Sequence, residues 1–497
     1  MCSLYFPHNI SWLVVLLLHT VTAAAGNTSI VIPDQPSAAS TSTHYQVQAR
    51  PIGSLAWNTV PLYTTTVAEI NATTGSSKKH ATQFGLFDFD GTVQIAVTPN
   101  ITVFPEISSV RVRPLSYGII PETVNGTITF NVSQPYNNIV IEINEDVFDV
   151  VHLFTSEIER NVITEQQAAG REDIIYYGPG YHTLSEVLNL SSGETLYLAS
   201  GAYLQFPSPS GTSVNITNAS NVIIQGRGFL SAGINIQMSS NISIDGAFVS
   251  TGGFLIAQSH DVHSRGWRSI TSHQWGDGMD IYCSQNVLVE KAFIRSSDDS
   301  IALYQHRNNW WGNSSNITMR DSSLWADVAH PINIGTHGNP DDPETMDGIT
   351  FQNIDILDHR EPQIDYEGAI AFSVGDENTI QNVLLDDIRV ENFRWGMLFS
   401  LRVMYNAKYN TAPGRGIKNV TIRDLVFSST PDLNHVVNTA SIYGYAEDRS
   451  IDFIDFQGLV INGLHIWDNM TKPAWYVTTD YIPATVGSFV NNLTFSS

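Results

Sequence analysis

The sequence is poor in charged residues, and poorest in basic ones. Charged residues make up only 14% of the 497 residues, against about a quarter in an ordinary soluble protein. Lys and Arg number 24 against 48 Asp and Glu, which gives a net charge of −24. Because phosphate binding needs clustered Lys and Arg, this balance argues against nucleic acid and anionic membranes as partners. It also disfavours a polyanionic substrate, whereas a neutral polymer meets no such repulsion.

The chain also lacks cysteine pairs and long apolar runs. Residues 1–25 contain a short apolar core, SWLVVLLL, and a small-residue end, AAA, which predict a secretory signal. A membrane anchor is the alternative, but the run is too short to span a bilayer. Removing the signal removes Cys2 and leaves Cys283 as the only thiol, so no disulfide is expected. We predict a secreted, extracellular protein with no membrane segment and with N-glycans at some of its about fourteen N-x-Ser/Thr sequons.

Residues 26–171 show short alternating strands and no helical periodicity. Examples are TVQIAVTP, SVRVRPL, GTITFNV and IVIEINE, which are separated by Gly, Pro and Asn. This spacing is typical of an antiparallel β-sandwich. The polar stretch TEQQAAGRED, residues 164–173, is the predicted linker to the next domain.

Residues 172–497 contain an irregular internal repeat. Its units are NVIIQGRGFL, NISIDGAFV, NVLVEKAFI, NITMRDSSL, GITFQNIDI, NVLLDDIRV and NVTIRDLVF. Repeats of roughly 20–37 residues without helical periodicity predict a solenoid of stacked β coils, with the Asn residues forming a hydrogen-bonded ladder. An ordinary large sandwich is the alternative. The predicted fold class is all-β, with an N-terminal antiparallel β-sandwich followed by a right-handed parallel β-helix.

Four aspartates flank one predicted coil in WGDGMDIYCSQNVLVEKAFIRSSDDSIAL: Asp277, Asp280, Asp298 and Asp299. Equivalent positions on successive coils lie about 4.8 Å apart, so Asp277 and Asp299 are expected side by side. Clustered carboxylates raise one another's pKa, which provides a general acid beside an ionised base. Such a pair breaks glycosidic bonds. A structural role in turns is the alternative, and we assign that role to Asp280.

Further residues fall on the same predicted face. Trp310, Trp311 and Trp325 suit stacking on sugar rings, although core packing is an equal alternative for Trp325. Arg307 follows the acid pair and is predicted to balance its charge and bind substrate. His330 either binds a hydroxyl group or is a buried, hydrogen-bonded histidine. No zinc or EF-hand pattern is present, so we predict no metal and no cofactor.

The motifs GDGMD, SSDDSIAL and DVAHPINIG resemble the core of β-helical polysaccharide hydrolases, namely glycoside hydrolase families 28 (polygalacturonases) and 49 (dextranases and isopullulanase). Asp277 matches the Asp of the N-T-D motif, Asp298 and Asp299 match D-D, and His330 matches the His of G-H-G. The R-x-K that holds the galacturonate carboxylate in family 28 has no counterpart, which disfavours pectin. Family 49 is similar over residues 85–360 and also has a sandwich before its β-helix.

One difference from family 49 lies beside the acid pair, where Ser297 and Ser300 replace the third acid and the Gly of T-D-D-D-G. The resemblance implies a cofactor-free, inverting and endo-acting hydrolase. In it Asp298 is the general acid, while Asp277 and Asp299 hold and deprotonate the attacking water. Inverting pairs are about 6.5–9.5 Å apart, so these acids are expected to splay outward.

From these features we predict a monomeric enzyme that cleaves an α-linked polysaccharide, first a neutral α-glucan such as dextran or pullulan. A pectin-degrading hydrolase is one alternative. A non-catalytic carbohydrate-binding or cell-wall protein on the same scaffold is another.

Overall fold

The computed structural model describes residues 28–71, 73–207, 212–246, 249–428, 435–480 and 484–497. The predicted secretory signal lies outside these residues. Among the described helices, none is long and apolar enough to cross a bilayer. The described chain is nearly all β-structure.

Eleven strands precede residue 157. They are β1 Ser29–Val31, β2 Tyr45–Pro51, β3 Asn58–Val60, β4 Tyr63–Ile70, β5 Ser77–Asp90, β6 Val93–Pro99, β7 Val110–Arg113, β8 Glu122–Val124, β9 Thr127–Val132, β10 Asn138–Ile143 and β11 Val151–Ser156, with a 3₁₀ turn at Leu115–Tyr117. They form a six-stranded sheet, β1-β5-β11-β10-β7 with β4 beside β5, and a five-stranded sheet, β3-β2-β6-β9-β8. Alternate apolar side chains from both sheets fill one core between them.

This two-sheet arrangement agrees with the predicted sandwich, with one difference in strand direction. β5 and β11 pair in parallel, whereas the other described pairs in these two sheets are antiparallel. The predicted linker contains a one-turn helix, α1 (Glu165–Ala168). Thr164 and Gln167 form a capping box at its start.

The remaining strands build the coils. They are β12 Ile174–Tyr177, β13 Gly180–Thr183, β14 Leu188–Leu190, β15 Thr195–Leu198, β16 Ala202–Gln205, β17 Thr212–Thr217, β18 Ser220–Gly226, β19 Phe229–Leu230, β20 Gly233–Gln237, β21 Ser240–Gly246, β22 Val249–Ser250, β23 Phe254–Ala257, β24 His260–Arg265, β25 Arg268–Ile270, β26 Met279–Tyr282, β27 Gln285–Glu290, β28 Phe293–Ser296, β29 Ile301–Tyr304, β30 Ser314–Ala326, β31 Ile332–Ile334, β32 Thr345–Asp358, β33 Ile370–Val374, β34 Thr379–Val390, β35 Trp395–Gly396, β36 Phe399–Val403, β37 Gly416–Phe427, β38 Val436–Val437, β39 Ala440–Tyr443, β40 Ile451–Gln457, β41 Leu459–Ile461, β42 Leu464–Ile466, β43 Ala484–Val486 and β44 Val490–Ser496, with a 3₁₀ turn at Thr478–Asp480.

All of these strands except β35 and β38, which pair with each other, form two long sheets whose neighbours come mainly from successive coils. One sheet has 20 strands; the other has 11, in the order β14-β17-β20-β23-β26-β29-β31-β33-β36-β39-β43, and is called the floor sheet below. The pairs within the floor sheet are parallel, as in a parallel β-helix. Alternate residues point inward, so Ile281, Leu303, Ile334 and Phe372 are fully buried in one continuous core.

The predicted asparagine ladder is confirmed along one edge of the coils. Asn241 donates to Asn221 at 2.6 Å and Asn316 donates to Asn286 at 2.9 Å. Between them the ladder passes through Asp261, which accepts from Asn286 at 3.0 Å. This coil lies outside the predicted repeat because Asp replaces Asn there. The ladder residues have left-handed backbone, for example φ 54° at Asn286, which Asn and Asp tolerate better than other side chains.

We expect Asn286→Ala to lower the free energy of unfolding by about 1–3 kcal/mol, because it removes two side-chain hydrogen bonds and places Ala in left-handed backbone. Asn286→Gly loses the same bonds without the steric penalty, so it should be less destabilising. Urea unfolding of both variants measures the difference. Equal losses would contradict the backbone contribution.

The sandwich and the coils share an apolar interface. Phe84 and Phe154 of the sandwich lie in one buried cluster with Phe293 and Trp325 of the coils. Trp325 is 0% exposed, and its ring lies 4.9 Å from the guanidinium carbon of Arg113 and 4.0 Å from that of Arg295. The predicted sugar-binding role of Trp325 is therefore wrong, because its side chain points into this interface.

Candidate active site

The acids come from two consecutive coils, immediately before β26 and β29. The parallel register pairs Met279 with Ile301, which places Asp277 next to Asp299 on the neighbouring coil. One carboxylate oxygen from each of Asp277, Asp298 and Asp299 lies within 4.8 Å of the others. The Asp299 backbone N–H donates to Asp277 Oδ1 at 3.1 Å and to Asp298 Oδ1 at 3.0 Å. The structure thus brings the three predicted acids together.

The spacing differs from the expected one. The clustered oxygens are within 4.8 Å, which is shorter than the about 6.5–9.5 Å of inverting pairs. The expected outward splay is therefore wrong for these oxygen atoms. Asp277 and Asp298 are partly exposed, so these two acids reach solvent. Asp299 is buried, and its backbone N–H holds the other two carboxylates by hydrogen bonds.

The two serines that differ from family 49 fasten the acid loop. Ser297 Oγ donates to the carbonyl of His273 at 2.6 Å. A Cβ on Gly276 would lie 2.2 Å from that hydroxyl, so the loop approaches closely only because Gly stands there. Ser300 Oγ and Ser296 Oγ hydrogen-bond at 2.9 Å, and both residues are buried. These contacts hold the ends of the acid pair in place.

Asp299 is surrounded by hydrogen-bond donors. His330 donates from its backbone N–H at 3.1 Å, and its Nδ1 lies 2.7 Å from the same oxygen, Oδ1. Asn333 Nδ2 and the Tyr304 hydroxyl donate to Oδ2 at 2.7 and 3.1 Å. Four donors occupy the four lone-pair positions of an ionised carboxylate, so Asp299 is built to stay charged.

The electrostatics of Asp299 and His330 favour an ion pair. Burial by itself raises the pKa of Asp299, but the His330 charge and the hydrogen bonds from His330 and Asn333 lower it below its ordinary value. Burial likewise lowers the pKa of His330, but the Asp299 carboxylate raises it to about 9. Both groups are therefore charged at neutral pH.

The other acids have raised pKa values. Burial, followed by repulsion from Asp299, raises the pKa of Asp298 to about 8. Burial, together with repulsion from Asp280, Asp298 and Asp299, raises the pKa of Asp277 well above its ordinary value. The site therefore has a protonated acid, Asp298, directly beside an ionised one, Asp299.

Asp280 belongs to this cluster, although the sequence interpretation made it only a structural residue. Burial raises its pKa to about 7, and repulsion from Asp299 adds to this shift. Among the described residues its Oδ1 has no hydrogen-bond partner. The signal was present in the strand alternation, because the inward-pointing Met279 and Ile281 force Asp280 to face outward.

The predicted sugar-binding residues separate into two groups. His330 is 0% exposed, and its Nε2 lies 2.5 Å from the carbonyl of Tyr366. A direct substrate contact is therefore wrong for His330, because both ring nitrogens are engaged inside the protein. Trp311 is 53% exposed and Arg307 is exposed, while Trp310 packs against the cluster that contains Tyr304.

One exposed aromatic residue near the acids was not among the predicted site residues. Trp275 precedes Asp277 by two positions and is 72% exposed, in left-handed backbone with φ 56°. An indole so exposed beside clustered acids is available to stack on a sugar ring. Its position immediately before the GDGMD motif is the sequence feature that could have identified Trp275 as a site residue.

The three clustered oxygens also have a spacing that suits a divalent cation. The oxygens of Asp299, however, already accept the hydrogen bonds of His330, Asn333 and Tyr304. Only two acids retain oxygens directed to solvent, which is a poor ligand set for Ca²⁺.

The described fold is similar to that of Dex49A from Penicillium minioluteum, with a TM-score of 0.56 and 12% identity over 93% of this chain and 96% of the other. A family 28 exopolygalacturonase from Yersinia enterocolitica gives a TM-score of 0.41 and 12% identity over 81% of this chain and 96% of that one. The catalytic domain of a GH87 alpha-1,3-glucanase in complex with nigerose gives 0.32 and 12% identity over 95% of each chain. Comparison with protein-family models and with curated proteins gives no match. At these identities the first likeness shows the fold alone.

Proposed function

We propose that this protein is a secreted, endo-acting, inverting glycoside hydrolase that cleaves a neutral α-linked glucan. The observation that carries the proposal is the pairing of a protonated Asp298 with an ionised Asp299 beneath it. The sequence resemblance to family 49 and the fold likeness to Dex49A support the same reaction class.

Asp298 acts as the general acid in this proposal. It is partly exposed, and its pKa of about 8 keeps its proton at neutral pH. As the glycosidic C–O bond breaks, the Asp298 proton moves to the departing oxygen, and the bond's electron pair leaves with that oxygen. The anomeric carbon then carries positive charge, and the oxygen of a water molecule forms a new bond to it.

Asp277 and Asp299 hold that water in this proposal. Their clustered oxygens lie within 4.8 Å, a separation that one water bridges with two ordinary hydrogen bonds. Asp299 is the ionised member and takes the water proton once the water has displaced one of its four hydrogen-bond donors, while Asp277 orients the water. His330 acts through Asp299, since its positive charge keeps that carboxylate ionised.

The acid oxygens lie closer together than in a usual inverting pair, but the position of Asp299 disfavours a covalent route. A retaining enzyme needs an ionised carboxylate that reaches the anomeric carbon. Asp299 is only 4% exposed and four donors hold it in place. A small water molecule reaches the anomeric carbon where this carboxylate does not.

Charge favours a neutral polymer over pectin. The chain carries a net charge of −24, and four aspartates gather at the site. The sequence has no counterpart to the R-x-K pair of polygalacturonases. Pectin cleavage and non-catalytic carbohydrate binding are the other outcomes that the following experiment distinguishes.

The test is an assay of the full chain against dextran, pullulan, an α-1,3-glucan and polygalacturonate, with reducing ends measured over time. We expect release from at least one neutral glucan, a rapid fall in viscosity typical of endo cleavage, and a product of inverted anomeric configuration by proton NMR. Release from polygalacturonate alone would establish the pectin alternative. No release from any polymer would reject the enzyme, and retained configuration would reject the inverting mechanism.

We expect the rate of hydrolysis to fall as the pH rises through about 8. Below that pH Asp298 holds its proton and can act as an acid, and above it the proton is lost. The pKa of Asp299 is lowered, so this carboxylate remains ionised even at the pH at which an ordinary aspartate becomes half protonated. A pH profile of kcat measures this, and a rate that rises through pH 8 would contradict the assignment.

A further inference from the structure

A pocket separate from the acid site lies on the floor sheet. It has a volume of about 570 Å³, within the usual about 300–1,000 Å³ of small-molecule sites. Ser441 in β39 is one of its lining residues. β39 is four strands from β29, which corresponds to about 19 Å at one strand spacing per coil.

Residues 361–367 separate this pocket from the acids. On one side of this segment, the Tyr366 carbonyl lies 2.5 Å from His330 Nε2 in the acid site. On the other side, Pro362, Ile364 and Glu367 line the pocket. The pocket is therefore a separate site on the same sheet and is not part of the acid cluster.

The pocket has apolar and aromatic walls with a few polar groups. Trp395, Met397 and Tyr443 contribute the apolar surface, and Ser441 and Thr485 contribute hydroxyl groups. Flat apolar side chains beside hydrogen-bonding groups suit the faces and hydroxyls of a sugar.

Arg402 contributes a charged hydrogen-bond donor to the pocket lining. Its Nη1 donates to Asp365 Oδ1 at 2.7 Å, and its guanidinium carbon lies 5.3 Å from the centre of the Tyr443 ring. Its guanidinium group lines the pocket, so N–H groups other than the one bound to Asp365 can donate to a ligand oxygen.

The charges in the pocket favour a neutral ligand. Asp365 and Glu367 oppose the single positive charge of Arg402. Glu367 is buried, and Asn438 Nδ2 lies 2.8 Å from each of its carboxylate oxygens, which holds it in place. A sugar acid would meet a net negative charge here, whereas an uncharged sugar would not.

We propose that this pocket is a second binding site for an uncharged oligosaccharide. A sugar segment bound in this pocket leaves the acid site free to bind a different sugar segment. The assignment does not depend on hydrolysis.

The test is calorimetric titration of the full-length Asp298→Asn protein, in which turnover is blocked, with isomaltotriose, maltotriose and nigerotriose. Trigalacturonate is the charged probe. Thr439→Trp introduces a bulky ring at an exposed position of the pocket wall, Arg402→Gln removes the charged donor, and Thr123→Trp in the sandwich is the matched control. We expect at least one neutral trisaccharide to show a binding event that both pocket variants weaken tenfold or more and that the control leaves unchanged. Binding at the acid site should persist in the pocket variants.

The absence of any binding event that Thr439→Trp and Arg402→Gln weaken, trigalacturonate binding in the pocket as tight as that of the neutral probes, or no binding of any probe would each overturn the proposal. Hydrolysis by the unmodified protein is assayed separately. Pocket-dependent binding without hydrolysis would reject the proposed enzyme and leave the second site standing. Hydrolysis without pocket-dependent binding would reject the second site and leave the proposed enzyme standing.

Discussion

Replacing Asp298 with Asn is expected to reduce polysaccharide hydrolysis by about 10²–10⁴-fold, the usual contribution of a general acid. Asn keeps the shape of the side chain and cannot donate a carboxyl proton. In the native site, burial and the Asp299 charge keep Asp298 protonated. The Asn variant has no such proton to give to the departing oxygen. Reducing-end assays of the purified variant measure the loss.

Two controls separate acid catalysis from a folding defect. Asp245→Asn changes an aspartate whose side chain is 56% exposed, and it should leave the rate unchanged. A glucoside with a nitrophenol leaving group needs little protonation, so Asp298→Asn should lose much less activity on it than on the polymer. Equal losses on both substrates would show that Asp298 is not the acid.

Replacing Asp327 with Ala is expected to destabilise the protein by about 3–5 kcal/mol. Asp327 and Arg295 have fully buried side chains, and the Asp327 carboxylate accepts from Arg295 Nε at 2.8 Å and Nη2 at 3.0 Å. Arg394 Nη2 donates to it at 3.0 Å as well. Truncation leaves the Arg295 charge buried without its carboxylate partner, which costs far more than the loss of an exposed ion pair.

The matched control is Asp245→Ala. Asp245 has a 56% exposed side chain and lies 3.6 Å from Arg265, and we expect a loss below about 1 kcal/mol because water screens the pair. Urea unfolding, followed by fluorescence, compares the two variants. Similar small losses for both would contradict the importance of the buried network. The double variant Arg295→Met with Asp327→Leu should recover much of the stability, because it leaves no unpaired charge.

The sequence by itself indicated the features that depend on local pattern. Alternating apolar residues and the recurring Asn predicted stacked coils, because each coil must bury the same face against its neighbours. The one-coil separation of Asp277 and Asp299 predicted their proximity, because parallel register places equivalent residues about one strand spacing apart. The coil through Asp261 was missed because its ladder residue differs in type and not in conformation.

Only the tertiary structure decided which polar and aromatic side chains reach solvent. Trp325 lies one strand away from the acids and yet is buried, because the sandwich packs on that side of the coils. His330 is enclosed because the segment carrying Tyr366 lies against it. Asp280, which the sequence left as a turn residue, belongs to the acid cluster, where its charge helps to raise the pKa of Asp277. The order of residues along a strand says which face each side chain takes, but what covers that face comes from segments distant in the chain.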